Sequence, residues 1–215
     1  MIRLKSILKH FIPSSLVRQK LPRPGTLLLT FDDGPHPEIT SQVLDLLDEF
    51  QARGLFFVVG NRAEKNPDLL REIVERRHQI GNHTYSHIPC NRLNVKQIVD
   101  EIDRCHNVIQ MATKFETRLF RPPKGIITPQ TLIASRRTRH SVVRWSIDCG
   151  EYSYARNASV DERAQLLLKR VHDRAIIVAH DDHAATPDLL RRILPALRDR
   201  GIDLRSGVDT LLSDD

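Results

Sequence analysis

From Gly25 onward the chain alternates short apolar runs with longer segments whose apolar residues recur every three or four positions. That is the pattern of strands delivered one at a time between amphipathic helices. Apolar, β-rich runs predict seven strands, at residues 26–31, 55–59, 79–81, 119–121, 141–145, 175–179 and 202–204. Ile39, Val43, Leu46, Leu47 and Phe50 share one face of a helix that Gly54 ends, and helical spacing also covers residues 67–77, 95–111, 129–137, 160–172 and 187–200. Strand-then-helix repetition implies a largely parallel sheet. About seven such units predict an α/β fold, a distorted or incomplete (β/α) barrel.

The 215 residues and 40% apolar content suit one buried core. The expected organisation is a basic amphipathic segment over residues 1–24 followed by one domain over 25–215. Within residues 1–12, Leu4, Ile7, Leu8 and Phe11 fall on one helical face and Lys5 and Lys9 on another, before Pro13. Such a segment fits equally a helix that caps the domain or a peripheral contact with a membrane surface. It lacks the continuous apolar stretch of a secretory signal, and no run of about 18 apolar residues predicts a membrane-spanning helix.

The net charge of +6 comes from basic residues scattered along amphipathic segments with no interleaved aromatics, so nucleic-acid binding is not expected. Cys90, Cys105 and Cys149 are odd in number and widely spaced, which fits reduced structural thiols. A cytoplasmic monomer is expected, with the inner face of the membrane as its alternative location.

Ionisable residues sit repeatedly at the carboxyl ends of the predicted strands, where β/α barrels place their chemistry. Asp32 and Asp33 follow the first strand and precede a Gly34-Pro35 turn. Two adjacent carboxylates at a strand exit are costly unless a cation neutralises them, although an isolated Asp-Asp-Gly is more often an ordinary turn. His83 and His87 are four residues apart, which on a helical turn puts both imidazoles within reach of one ion. One carboxylate with two histidines makes a three-donor site with open positions, the arrangement of a catalytic rather than a structural metal.

Thr30 to Pro35, His83-Thr84-x-x-His87 and Arg121-Pro122-Pro123-x-Gly125 resemble the first three motifs of the polysaccharide deacetylase (NodB homology, carbohydrate esterase family 4) family. Residues 145–152 and 177–181 resemble the fourth and fifth. The resemblance implies that Asp33, His83 and His87 bind one divalent metal, zinc first, with cobalt, nickel, manganese or iron as alternatives. It implies that Asp32 is the general base, that Arg121 orients it, and that His180 is the general acid, partnered by Asp148 or Glu151. Pro123, Lys124, Gly125, Tyr152 and Val178 would contact an N-acetylated saccharide.

The chain departs from the family pattern at Lys124, where an aromatic residue is usual, at Glu151-Tyr152 in place of Asp-Trp, and at Val178 in place of Leu. The implied activity is removal of an N-acetyl group from an N-acetylhexosamine. A non-catalytic saccharide-binding protein on the same fold is the alternative, and a glycosidase using Asp32 with Glu151 ranks last because the histidines have no role in it.

Overall fold

The computed structural model describes residues 17–212, so the amphipathic pattern of residues 1–12 lies outside it. Eight strands form one sheet: β1 (Val17–Arg18), β2 (Leu28–Asp32), β3 (Gly54–Val58), β4 (Gln79–Asn82), β5 (Leu119–Phe120), β6 (Ser141–Val143), β7 (Ile147–Asp148) and β8 (Ile176–His180). Their order is β1-β6-β5-β4-β3-β2-β8-β7, and every neighbouring pair is parallel. The sheet curls into an incomplete barrel, as predicted, with one strand more than expected. The helices are α1 (Ile39–Glu49), α2 (Gly60–Ala63), α3 (Pro67–Glu75), α4 (Val95–Thr113), α5 (Pro129–Arg137), α6 (Val160–Arg170), α7 (Thr186–Asp199) and α8 (Gly207–Leu212).

Both faces of the central strands are buried, which is why they read as unbroken apolar runs. Leu29, Phe31, Phe56, Val58, Ile177 and Ala179 pack outward against the helices. Leu28, Leu55, Phe57 and Ile176 alternate with them and fill the barrel with Val143, Val208 and Leu211, the last two from α8. Each such side chain contributes roughly 1.5–3 kcal/mol on burial, so the middle of the sheet anchors whatever projects from its ends. Helix starts are marked by reciprocal caps at Asn94 with Gln97, Thr128 with Thr131 and Ser159 with Glu162.

Residues 202–204, expected as a strand, make only one bridge, Asp203 to Thr26, and lead into α8. The short strands β1 and β7 and the helices α2 and α8 carried too little periodicity to be anticipated. Cys90, Cys105 and Cys149 are buried and unpaired.

Where α3, α4 and α5 return to the sheet, Arg77, Lys114 and Arg139 take left-handed conformations, with φ of 64°, 60° and 57°. Glycine usually holds such positions. A side chain there costs roughly 1–2 kcal/mol, and a cation at a helix C-terminus recovers only about 0.3–1 kcal/mol.

Candidate active site

The carboxyl ends of β2, β4, β5 and β8 converge on one end of the barrel. Asp32 closes β2 and is paired in register with His180, which closes β8. The chain then turns at Asp33, φ 73°. Gly34 follows with no room for a Cβ, because one would collide with the carboxylate of Asp181.

Asp33 Oδ1 lies 3.3 Å from His83 Nε2 and 3.0 Å from His87 Nε2. Burial alone would raise Asp33, but with both imidazoles protonated their charge holds it far below the usual carboxylate range. His83 Nδ1 is 2.7 Å from the Arg121 carbonyl. A carbonyl only accepts, so Nδ1 carries a proton and Nε2 of the neutral ring presents a lone pair. Three donor atoms therefore point at one another, within 4.8 Å. Asp33 Oδ1 is buried with no hydrogen-bond donor of good geometry. Lone pairs gathered in this way repel unless a cation lies among them or the imidazoles are protonated. The mixed nitrogen and oxygen donor set fits a divalent transition metal, with zinc well suited.

The histidine pair does not ride on a helical turn. Thr84 and His87 have φ of 68° and 57°, and the segment is an irregular bend. Its shape is set by neighbours: Asn82 Oδ1 accepts from the Thr84 N–H at 2.9 Å, and Glu101 of α4 accepts from Ser86 N–H at 2.7 Å and Ser86 Oγ at 2.8 Å.

Arg121 is fully buried, its guanidinium 4.2 Å from the centre of the Phe57 ring. It donates to Asp32 Oδ1 at 2.6 Å, Thr30 Oγ1 at 2.7 Å and the Val143 carbonyl at 3.0 Å. With Oδ1 so held, Asp32 Oδ2 faces the histidines, 3.8 Å from His83 Nε2. Burial opposes the charged form of Arg121, and the Asp32 carboxylate counteracts it.

His180 Nδ1 lies 3.5 Å from Glu151 Oε2. Burial disfavours its cation, but Glu151, Asp32 and Asp33 outweigh that and push His180 up to about 9. Glu151 rather than Asp148 faces it. Asp148 folds back on its own turn, Oδ1 accepting from the Gly150 N–H at 2.5 Å, which removes it from the expected set. Tyr152 stands edge-on to His180, ring centres 4.7 Å apart.

Pro123 is buried, while Lys124 is exposed on a short turn with φ 59°. A Cβ on Gly125 would strike the Trp145 ring, so this turn packs closely on the indole. Val178 is buried beneath His180, two residues earlier on β8.

Sequence reasoning missed three contributors. Arg62 donates to the Asp33 carbonyl at 2.6 Å and to Asp182 at 2.7 Å, tying α2 to the turn that carries Asp33. Glu101 clamps the histidine bend. Asp181 is fully buried and accepts from Thr40 Oγ1 at 2.6 Å; burial pushes it up to about 7.

A family profile described as polysaccharide deacetylase matches residues 19–143. A chitooligosaccharide deacetylase of Sinorhizobium fredii is 35% identical over 207 residues, spanning 86% of this chain and 94% of its own. The solved peptidoglycan deacetylase PdaC of Bacillus subtilis superposes with a TM-score of 0.79 at 26% identity, over 90% of this chain and 92% of that one. The CE4 family pseudoenzyme BA3943 of Bacillus anthracis shares the fold at TM-score 0.81 and 21% identity, over 89% and 67%. That last likeness is one of fold alone.

Proposed function

The chain belongs to the polysaccharide deacetylase family, and we propose that it removes the N-acetyl group from an N-acetylhexosamine unit of an oligo- or polysaccharide, or of a saccharide precursor, with one divalent cation held by Asp33, His83 and His87. The observation that carries this reading is the pairing of Asp32 and His180 on neighbouring strand ends beside three converging donor atoms. The names of the relatives, chitooligosaccharide and peptidoglycan deacetylases, favour N-acetylated saccharide substrates.

Amide hydrolysis needs a polarised carbonyl, a deprotonated water and a protonated leaving nitrogen. A divalent cation at the three donors supplies the Lewis acid and makes a nearby water easier to deprotonate. Asp32 Oδ2, left free by the Arg121 contact, is placed to accept that proton. As the water oxygen bonds to the acetyl carbon and the C–N bond breaks, His180 delivers its proton to the departing amine. Glu151 is a positioning residue that favours the protonated imidazole. Tyr152 and Lys124 stand exposed beside the site, where a sugar ring has to approach.

The test is acetate release from N-acetylglucosamine oligomers by metal-loaded protein. Asp32→Asn is expected to lower the rate by roughly 10²- to 10⁴-fold while metal content stays the same. A fully loaded wild type that releases no acetate from any such oligomer contradicts the proposal and favours non-catalytic saccharide binding.

A further inference from the structure

Because every strand pair is parallel, the strand amino ends and helix carboxyl ends collect on one face, opposite the active site. Basic residues that look scattered along the sequence meet there. Arg23 precedes β2, Arg77 precedes β4, Lys114 precedes β5, Arg136 and Arg139 precede β6, and Arg205 follows Asp203, which bridges Thr26 just ahead of β2; all six are exposed and none is in a contact ion pair with a described residue, while the charge of Arg23 acts at longer range on Asp203. Glu49 and Glu75, at the carboxyl ends of α1 and α3, are also exposed on this face, while other carboxylates there are engaged. Asp209 pairs with Arg53 at 2.8 Å, Glu116 with Arg118 at 3.0 Å, and Asp203 accepts from the Arg205 N–H at 2.8 Å.

We propose that this face docks the protein on an anionic phospholipid bilayer. Charge density alone fits any polyanion, so the choice of a bilayer rests on two further observations. Apolar side chains lie among the cations: Met111, one turn before Lys114, and Leu212 at the end of α8 are both exposed. In sequence, β1, whose Val17 pairs with Val142 near the start of β6, is preceded by the spacing Leu4, Ile7, Leu8 and Phe11 with Lys5 and Lys9 between them. That mixture suits an interface of headgroups and acyl chains. The exposed aromatics Tyr152 and Tyr154, which base stacking would use, follow β7 at the opposite end.

Arg77, Lys114 and Arg139 also keep their side chains in a backbone conformation that glycine adopts more easily. Docked through this face, the protein turns its active site away from the bilayer, toward saccharide extending from the surface.

The test is vesicle co-sedimentation of the full chain, using phosphatidylcholine alone or with about one third phosphatidylglycerol. The wild type is expected to bind only the anionic vesicles and to be released by about 0.5 M salt. The combined variant Arg77→Gly, Lys114→Gly, Arg139→Gly is expected to bind roughly 100-fold more weakly. Glycine relieves these backbone positions, so the thermal unfolding temperature is expected to be no lower than that of the wild type, and acetate release from a soluble oligomer is expected to match it. Equal binding to neutral vesicles, unchanged binding by the variant, or tighter binding to a duplex oligonucleotide than to anionic vesicles each overturns the proposal.

Discussion

His180 has two nitrogens and three carboxylates nearby, and its protonation is the most sensitive residue-level feature of the site. In the metal-free protein its imidazole is expected to titrate near 9, against an ordinary value of 6.5. Glu151→Gln is expected to bring the midpoint down. Imidazole resonances followed by NMR across this range check both values, and a wild-type midpoint at 6.5 contradicts the electrostatic account. The sign for stability follows: a folded-state value above the unfolded one stabilises fully below pH 6.5 and is lost as pH rises through 9. Metal-free wild type should therefore lose stability over that window, by on the order of 3 kcal/mol at most, and Glu151→Gln should lose less. The residues of the site that were legible in sequence, Asp32, Asp33, Arg121 and His180, each end or follow an apolar run. The choice between Asp148 and Glu151 was not legible, because a turn that folds Asp148 onto the Gly150 N–H decides it. Arg62 left no sequence signal at all, since it acts on a carbonyl 29 residues away. Arg62→Gln is expected to weaken metal affinity about 10-fold, measured by competition with a chelating dye; unchanged affinity would show that the Asp33 turn holds itself.

Among the elements, α4 contributes most to the geometry of the histidine bend. Glu101, in its second turn, holds both the N–H and the hydroxyl of Ser86. Glu101→Ala is expected to reduce metal affinity by roughly 10- to 100-fold with little change in melting temperature, because the core face of α4, including Ile98, Ile102 and Ile109, is untouched. A large loss of stability with unchanged affinity would instead make Glu101 a fold residue. The central strands were legible because both faces are buried, and runs such as residues 27–31 have no polar interruption beyond Thr30. Two-residue strands have no period to read, which hid β1 and β7. Residues 202–204 mimicked a strand through Ile202 and Leu204, yet Asp203 meets Thr26 at one bridge only before Gly207 packs against the Leu27 carbonyl and starts α8. The histidine bend was anticipated as a helical turn because the four-residue spacing is the same; the left-handed Thr84 and His87 bring the rings together by another path.

For the whole molecule, a parallel barrel separates two faces: the proposed metal donors and acid–base groups lie at the strand carboxyl ends, and a set of exposed cations lies at the amino ends. Binding of a cation to the folded state alone stabilises it by mass action, about 2.7 kcal/mol when free metal is 100 times the dissociation constant. Zinc is thus expected to raise the melting temperature with the logarithm of its concentration above the dissociation constant and a chelator to reverse this, with no such response in His83→Ala. The central claim is that Asp33, His83 and His87 share a single cation, and the direct measurement is metal content per chain by mass spectrometry after zinc loading and desalting. One equivalent in the wild type, falling to a small fraction in Asp33→Ala and in His87→Ala while both variants remain folded, is the predicted result. Full stoichiometry retained in both variants contradicts it.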